Sequence, residues 1–492
     1  MIPQAAVSVR RFLILGIAAI AAAVTGVAAQ AGDPTDDATA GATVTISPSV
    51  IVLDNPIARG GHSRRQQIKL SVTVTDRHGR AVLPSRRRPI LLDIYQPRGG
   101  PLRPGAARIT SAEDPSAVFT YDGGYFANSM ILTATMGDAG ASTSIVPRNR
   151  FDPDDCPPGA GHVALRYRDP MRTLEHGFKI DVSVGGGRWH TGVELDTGST
   201  GLVLDRRSIG PEAIGPGKPG TREYYPSGYK IVGNYWLTPV TIGISDPDWG
   251  PKAVARTVPI EVFGIDRVEC GSNVKTCVPP ADQQKAIAGF SLMGIGFDRG
   301  GAPSSNNPFL QLEDVVYGRM RPGYVISPDR VDIGLDAANT AEKFDYTPLA
   351  PSDDPPGGWS GANGCFSFPA AAAKLCGSML LDTGIDQMIF ALAKDKRPPA
   401  VVDPLHPELL KPGTAVDISA PTAPPLALSY GFTYEPRKTS SAVEPKSIRW
   451  AAPPATKPPV FFNIGRTPLA RFDYLYDDRC GRVGFFDRLT TQ

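Results

Sequence analysis

Apolar and polar residues alternate along most of the chain, and few stretches show helical spacing. Near the N-terminus, "ATVTISPSVIVL", "QQIKLSVTVTD", "PILLDIYQP", "AVFTYDGGYFANSMILTATM" and "ASTSIVP" are short runs rich in Val, Ile, Thr and Tyr. Turn formers such as Asp76 to Gly79 and Asp122-Gly123-Gly124 separate them. Period-two runs bounded by such residues predict strands, and this spacing predicts a sandwich of immunoglobulin-like topology over residues 32–150. No cysteine falls in that region, so the disulfide of antibody domains is absent. Nothing in it points to chemistry, and a spacer or adhesive module is its expected role.

Residues 151–161 are rich in Pro, Gly and Asp with little to bury, and read as a linker. From residue 162 onward strands return, as in "GFKIDVSVGG", "WHTGVELDTG", "NYWLTPVTIGI" and "GYVISPDRVDIGL". The stretch 394–459 is crowded with Pro yet contains the strand-like "LALSYGFTYEP", which predicts strands joined by long surface loops. The whole is expected to be all-β.

The pattern breaks at the start of the chain. Arg10 and Arg11 precede "FLILGIAAIAAAVTGVAA", and Ala29-Gln30-Ala31 offers small residues at cleavage spacing, so residues 1–31 read as a signal peptide. The stretch is nearly long enough to be an uncleaved anchor, but its Ala and Gly content favours cleavage. No later segment is apolar enough to cross a membrane. The expected product is exported, periplasmic or secreted, with no stable membrane insertion.

Composition sharpens this in three ways. Among 492 residues, 49 Pro and 52 Gly favour short strands and many turns; that Pro share is roughly twice the usual one. With 51 basic against 49 acidic residues, and two of the arginines in the leader, the mature chain balances its charges. Nothing therefore points to nucleic acid as a partner. Six cysteines in an exported chain suggest disulfides. Cys270 with Cys277 and Cys365 with Cys376 would close small loops, leaving Cys156 with Cys480, though other pairings are open to six cysteines. A zinc site is the alternative, but no C-x2-C spacing supports it and the six His are scattered, so neither metal nor cofactor is expected.

The candidate chemistry lies in "VELDTGSTGLVL" (193–204) and "MLLDTGIDQMIF" (379–390). Each sets Asp-Thr-Gly directly after apolar residues, and a carboxylate buried at the end of a hydrophobic strand is costly unless something pairs with it. The plain alternative is two unrelated strand-to-turn junctions, where Asp and Gly are favoured locally. With other landmarks, residues 161–492 resemble a pepsin-like aspartic protease, as an exported bacterial member of that family. "EYYPSGY" (223–229) resembles the flap hairpin, and "SLMGIGF" (291–297) the apolar-apolar-Gly segment beside the first motif. "VFFNIGRTPLARFDYLYDDRCGRVGF" (460–485) resembles the C-terminal signature.

The resemblance implies two β-rich lobes, about 162–327 and 328–492, each donating one aspartate to a monomeric endopeptidase acting on proteins or peptides. Asp196 and Asp382 would share one proton and activate a water, without metal or covalent intermediate. Thr197 and Thr383 would bond across to the opposite loop, while Gly198 and Gly384 would offer close approach and amide donors. Ser199 would bond the outer oxygen of Asp196. Tyr225, with Tyr224 as the alternative, would cover the substrate, with Gly228 at the hairpin tip.

Three positions depart from the family. Ile385 stands where Ser or Thr is usual, so Asp382 lacks a hydroxyl donor and the lower limit of activity should move up in pH. Val203 replaces a Trp that holds the flap Tyr, and Pro226 follows Tyr225 where Gly is usual. No Lys-rich prosegment is visible. These departures keep open a protease-like binding protein using the cleft or the N-terminal sandwich.

Overall fold

The computed structural model describes residues 42–54, 64–96, 101–123, 130–137, 139–148, 159–224, 228–246, 250–271, 277–278, 280–299, 306–340, 344–353, 356–421, 425–436, 441–453 and 459–489. The leader at 1–31 and most of the linker, with Cys156 in it, lie outside them, as does Tyr225. Among the described residues strands dominate and helices are short, so the fold is all-β. None of these helices is long and apolar enough to cross a membrane.

Two sheets form the N-terminal part. One has four strands, in the order Thr43–Ser47, Gln66–Thr75, Ser116–Tyr121, Leu102–Arg103. The other has five: Val50–Asp54, Ala139–Arg148, Met130–Met136, Ile90–Tyr95, Ala106–Ile109. Alternation decides which face each residue takes. Along Gln66–Thr75, Ile68, Leu70, Val72 and Val74 are buried while Lys69, Ser71 and Thr73 face solvent. Both sheets contribute to one apolar core, which includes Leu53, Leu70, Leu92, Phe119 and Leu132.

After residue 159 three larger sheets follow. The nine-stranded sheet runs Ile214–Tyr224, Tyr229–Thr238, Ile260–Cys270, Thr200–Asp205, Leu292–Ile295, Trp189–Asp196, Lys179–Val184, Val240–Asp246, Gly250–Arg256. The seven-stranded sheet runs Leu428–Tyr434, Thr414–Ala420, Ala362–Phe368, Ala373–Leu380, Phe461–Asn463, Met388–Ala391, Ile448–Ala451. A six-stranded sheet joins the two halves, because Gly323–Ile326 pairs antiparallel with Phe472–Asp477.

The two larger sheets repeat one device. Leu292–Ile295 is inserted between Trp189–Asp196, which it meets in parallel, and Thr200–Asp205, which it meets antiparallel. Phe461–Asn463 is likewise inserted between Ala373–Leu380, in parallel, and Met388–Ala391, antiparallel. In both, the inserted strand blocks the neighbouring strands from pairing directly, so the turn between them opens into a loop. Each loop carries one Asp-Thr-Gly.

Two disulfides are described. Cys270–Cys277 closes a short loop, with Cα atoms 5.7 Å apart. Cys365–Cys376 crosses the hairpin in which these residues are register partners. Cys480 is disulfide-bonded; Cys156, its expected partner, lies outside the described residues.

At the end of Phe472–Asp477 sits a buried carboxyl, Asp478, which accepts the Tyr476 hydroxyl at 2.7 Å. Burial pushes its pKa from the ordinary 3.8 up to about 6. Between those values the folded state binds the more protons, so this group's contribution to stability falls as pH rises from about 4 to about 6. Asp478→Asn is therefore expected to stabilise the fold at pH 7 by up to roughly 3 kcal/mol and to change little below about pH 4. Urea unfolding at both pH values measures this; equal effects at the two would refute it.

Candidate active site

Asp196 ends a strand whose inner residues, Val193 and Leu195, are fully buried, and Asp382 follows the equally apolar Leu380-Leu381. Burial of these strands carries both carboxyls inside: each aspartate is 1% exposed. The threonines behind them interlock. Thr197 N–H donates to Thr383 Oγ1 at 3.0 Å, and Thr383 N–H donates to Thr197 Oγ1 at 2.9 Å. Each hydroxyl in turn donates to the opposite strand, Thr197 to the Leu381 carbonyl at 2.6 Å and Thr383 to the Leu195 carbonyl at 2.8 Å. Four hydrogen bonds thus lock two loops from sheets formed 186 residues apart.

The carboxyls lie close together across this lock, each within reach of the glycine of the opposite motif. Gly198 N–H donates to Asp196 Oδ1 at 2.7 Å, and Gly384 N–H to Asp382 Oδ1 at 2.9 Å. Both positions need glycine for space. A Cβ at 198 would lie 2.5 Å from Asp382 Oδ2, and one at 384 would lie 2.7 Å from Asp196 Oδ1. The second oxygen of Asp196 accepts the Ser199 hydroxyl at 2.5 Å. Burial, and then the charge of Asp382, hold the Asp196 carboxyl well above the usual carboxylate range, against the pull of the Ser199 and Gly198 donors. Two carboxyls so placed cannot both ionise cheaply.

Sequence reasoning missed three residues here. Asn463 donates from Nδ2 to Asp382 Oδ2 at 2.7 Å, so Asp382, without a hydroxyl donor at Ile385, has an amide donor. The signal was a single amide inside the apolar run "VFFNIG". Arg466, 5% exposed, donates to the Thr383 carbonyl at 3.3 Å, and Arg299 donates to the Thr197 carbonyl at 3.2 Å, so each motif loop is capped by a guanidinium. Ile385 is buried beside Ile389.

The hairpin read as a flap is formed by Ile214–Tyr224 and Tyr229–Thr238, with Tyr224 opposite Tyr229. Gly228, at φ +72°, lies in the turn between them. Tyr225 and Pro226 lie outside the described residues. Tyr224 is buried in one apolar cluster with Val203, Ile231 and Phe263 and packs on Phe290, ring centroids 5.0 Å apart. Burial pushes its hydroxyl up to about 12, and Asp196 is close enough to add to the shift. Val203 thus belongs to the patch on which this tyrosine rests. Among the described residues no cluster of three or more His, Cys, Asp or Glu could hold a metal ion.

No protein-family model and no curated protein matches the chain. Among solved structures it is similar to an aspartic proteinase from Irpex lacteus, with 15% identity and a TM-score of 0.38 over 66% of this chain and 97% of that one. Overlap at that level carries no functional weight; the buried carboxyl pair does.

Proposed function

We propose that the chain is an exported aspartic endopeptidase that hydrolyses peptide bonds through a water activated by Asp196 and Asp382. The observation that carries this reading is the pair itself: two buried carboxyls from different sheets, set beside each other by reciprocal threonines. Nothing in a purely structural role calls for two acids at such cost.

The chemistry needs only these groups. The ionised carboxylate takes a proton from a water held between the pair while the protonated member donates to the scissile carbonyl oxygen. The new C–O bond gives a tetrahedral diol. Proton transfer to the amide nitrogen, with collapse of the diol, breaks the C–N bond and releases an acid and an amine. The hairpin bearing Tyr224 would cover an extended substrate and exclude water. Export is supported by the leader-like N-terminus and the disulfides. In this reading residues 32–150 form a spacer, 151–161 a linker and 162–492 the monomeric protease.

Incubating the processed chain with an unfolded protein across about pH 3–7, the range open to a carboxyl pair, tests it. Cleavage that is strongest at acid pH and abolished by pepstatin is expected. Absence of cleavage throughout, from folded protein, would favour the binding-protein alternative.

A further inference from the structure

We propose that Asn463 is a positioning residue for Asp382, its side-chain amide supplying the donor that the chain forgoes at Ile385 and so keeping the carboxyl pair working further into acid. This rests on the reading of Asp196 and Asp382 as a proton-sharing pair.

The two halves show the exchange directly. In each, Oδ1 of the aspartate accepts from the glycine two residues on. In the first half Oδ2 accepts from the Ser199 hydroxyl, and in the second Oδ2 accepts from the Asn463 amide. The donors come from different elements. Ser199 follows its own motif, whereas Asn463 ends the inserted strand Phe461–Asn463, where it pairs with Leu380. Its counterpart in the first half is Leu292, which pairs with Glu194, also two residues before the aspartate. One half therefore has hydroxyl and leucine where the other has isoleucine and amide.

The amide can only be oriented one way. Gly465 N–H donates to Asn463 Oδ1 at 2.9 Å, which leaves Nδ2 to face the carboxyl. Asn463 is 2% exposed in an apolar strand, and both ends of its amide are used. A hydroxyl can donate to a carboxylate or accept from a carboxylic acid; an amide nitrogen only donates. Asn463 therefore favours the ionised form of its partner more strictly than Ser199 does. The charge of the free pair is biased to Asp382 and the proton to Asp196, making Asp382 the base towards water.

Among the described residues, the charged groups around this carboxyl include Asp196 from the opposite loop, Arg466 behind the Thr383 carbonyl and Arg299 behind the Thr197 carbonyl. Arg466 pairs with Glu194 at 3.5 Å and Asp386 at 3.8 Å, and Lys446 with Asp386 at 2.7 Å. None of these is removed by a change at 463.

The test compares full-length processed wild type, Asn463→Leu and Asn463→Leu/Ile385→Ser, reading kcat/KM against pH and the carboxyl titration by carbon NMR of labelled aspartates. In Asn463→Leu the acid limb and the pair's lower titration step should both move up by about one pH unit, a roughly tenfold loss at the acid end. Ile385→Ser, adding a hydroxyl where Ser199 stands in the other half, should move both back. Should leucine prevent folding, Asn463→Asp keeps the shape and the acceptor for Gly465, and should move the titration in the same upward direction. Unchanged titration in a folded variant, or a loss of rate equal at every pH and not rescued by serine, would overturn the proposal. If the wild type cleaves nothing, the protease reading fails, while the NMR titration still decides the role of Asn463.

Discussion

Asp196→Asn and Asp382→Asn should each lower kcat for peptide hydrolysis by at least about a thousandfold, the usual scale for losing a general acid or base. The asparagine keeps the shape of the carboxyl and can still accept the glycine N–H, so the loops should stay in place. What it cannot do is pass a proton. With Asn at 196 the remaining carboxylate has no acid beside it to polarise the carbonyl; with Asn at 382 the pair loses the member that accepts from Asn463. The effects should be non-additive, because either change removes the shared proton and the double variant has little left to lose. Stability should move the other way. Burial holds Asp196 well above the usual range, so ionising it at neutral pH costs folding energy, and Asp196→Asn should melt at or above the wild-type temperature at pH 7. Kinetics and melting curves on the same preparations check both statements. Either single variant retaining more than a tenth of wild-type kcat would remove the dyad from the mechanism.

Thr383→Val should cost about 2–6 kcal/mol of stability and a large part of the activity. Valine keeps the volume but removes a hydroxyl that does two jobs: it accepts from Thr197 N–H and donates to the Leu195 carbonyl. Both partners are left buried and unpaired, at roughly 1–3 kcal/mol each. Thr197→Val should behave alike, since its hydroxyl donates to Leu381 and accepts from Thr383 N–H. The reason activity falls too is geometric: the threonines hold the aspartates next to them, and a carboxyl pair displaced by even an ångström no longer shares a proton well. Thr383→Ser keeps the hydroxyl and should lose much less of both. Urea unfolding and kcat for the Val and Ser variants measure this, and a serine variant as damaged as the valine one would show that the methyl group, not the interlock, is what the site needs.

Much of the site could be read from the chain because its signals are local. Asp-Thr-Gly after an apolar strand states that a carboxyl is buried at a strand end, and two copies state that the feature is paired. Each glycine, and Ser199, acts within three residues of its own aspartate, so their roles follow from adjacency. Ile385 was read, on the same local logic, as denying Asp382 a hydroxyl donor. What that logic could not see is the amide donor that arrives from a strand 81 residues further along the chain. Arg466 and Arg299 were invisible for the same reason: an arginine just past an apolar strand says nothing about which carbonyl it will cap until two sheets have been assembled.

The sequence by itself determined the strands, the faces they bury and the residues that could carry acid chemistry. A period of two and a short list of turn formers act over a few residues and need no knowledge of the rest. The tertiary structure alone decided which strands are neighbours. The insertion of Leu292–Ile295 and of Phe461–Asn463 between their partners opens the two motif loops, fixes the threonine lock and brings Asn463 to Asp382. Those contacts join residues far apart in the chain, and they form only because pairing backbone groups and burying apolar faces across whole sheets outweighs the entropy of closing such long loops.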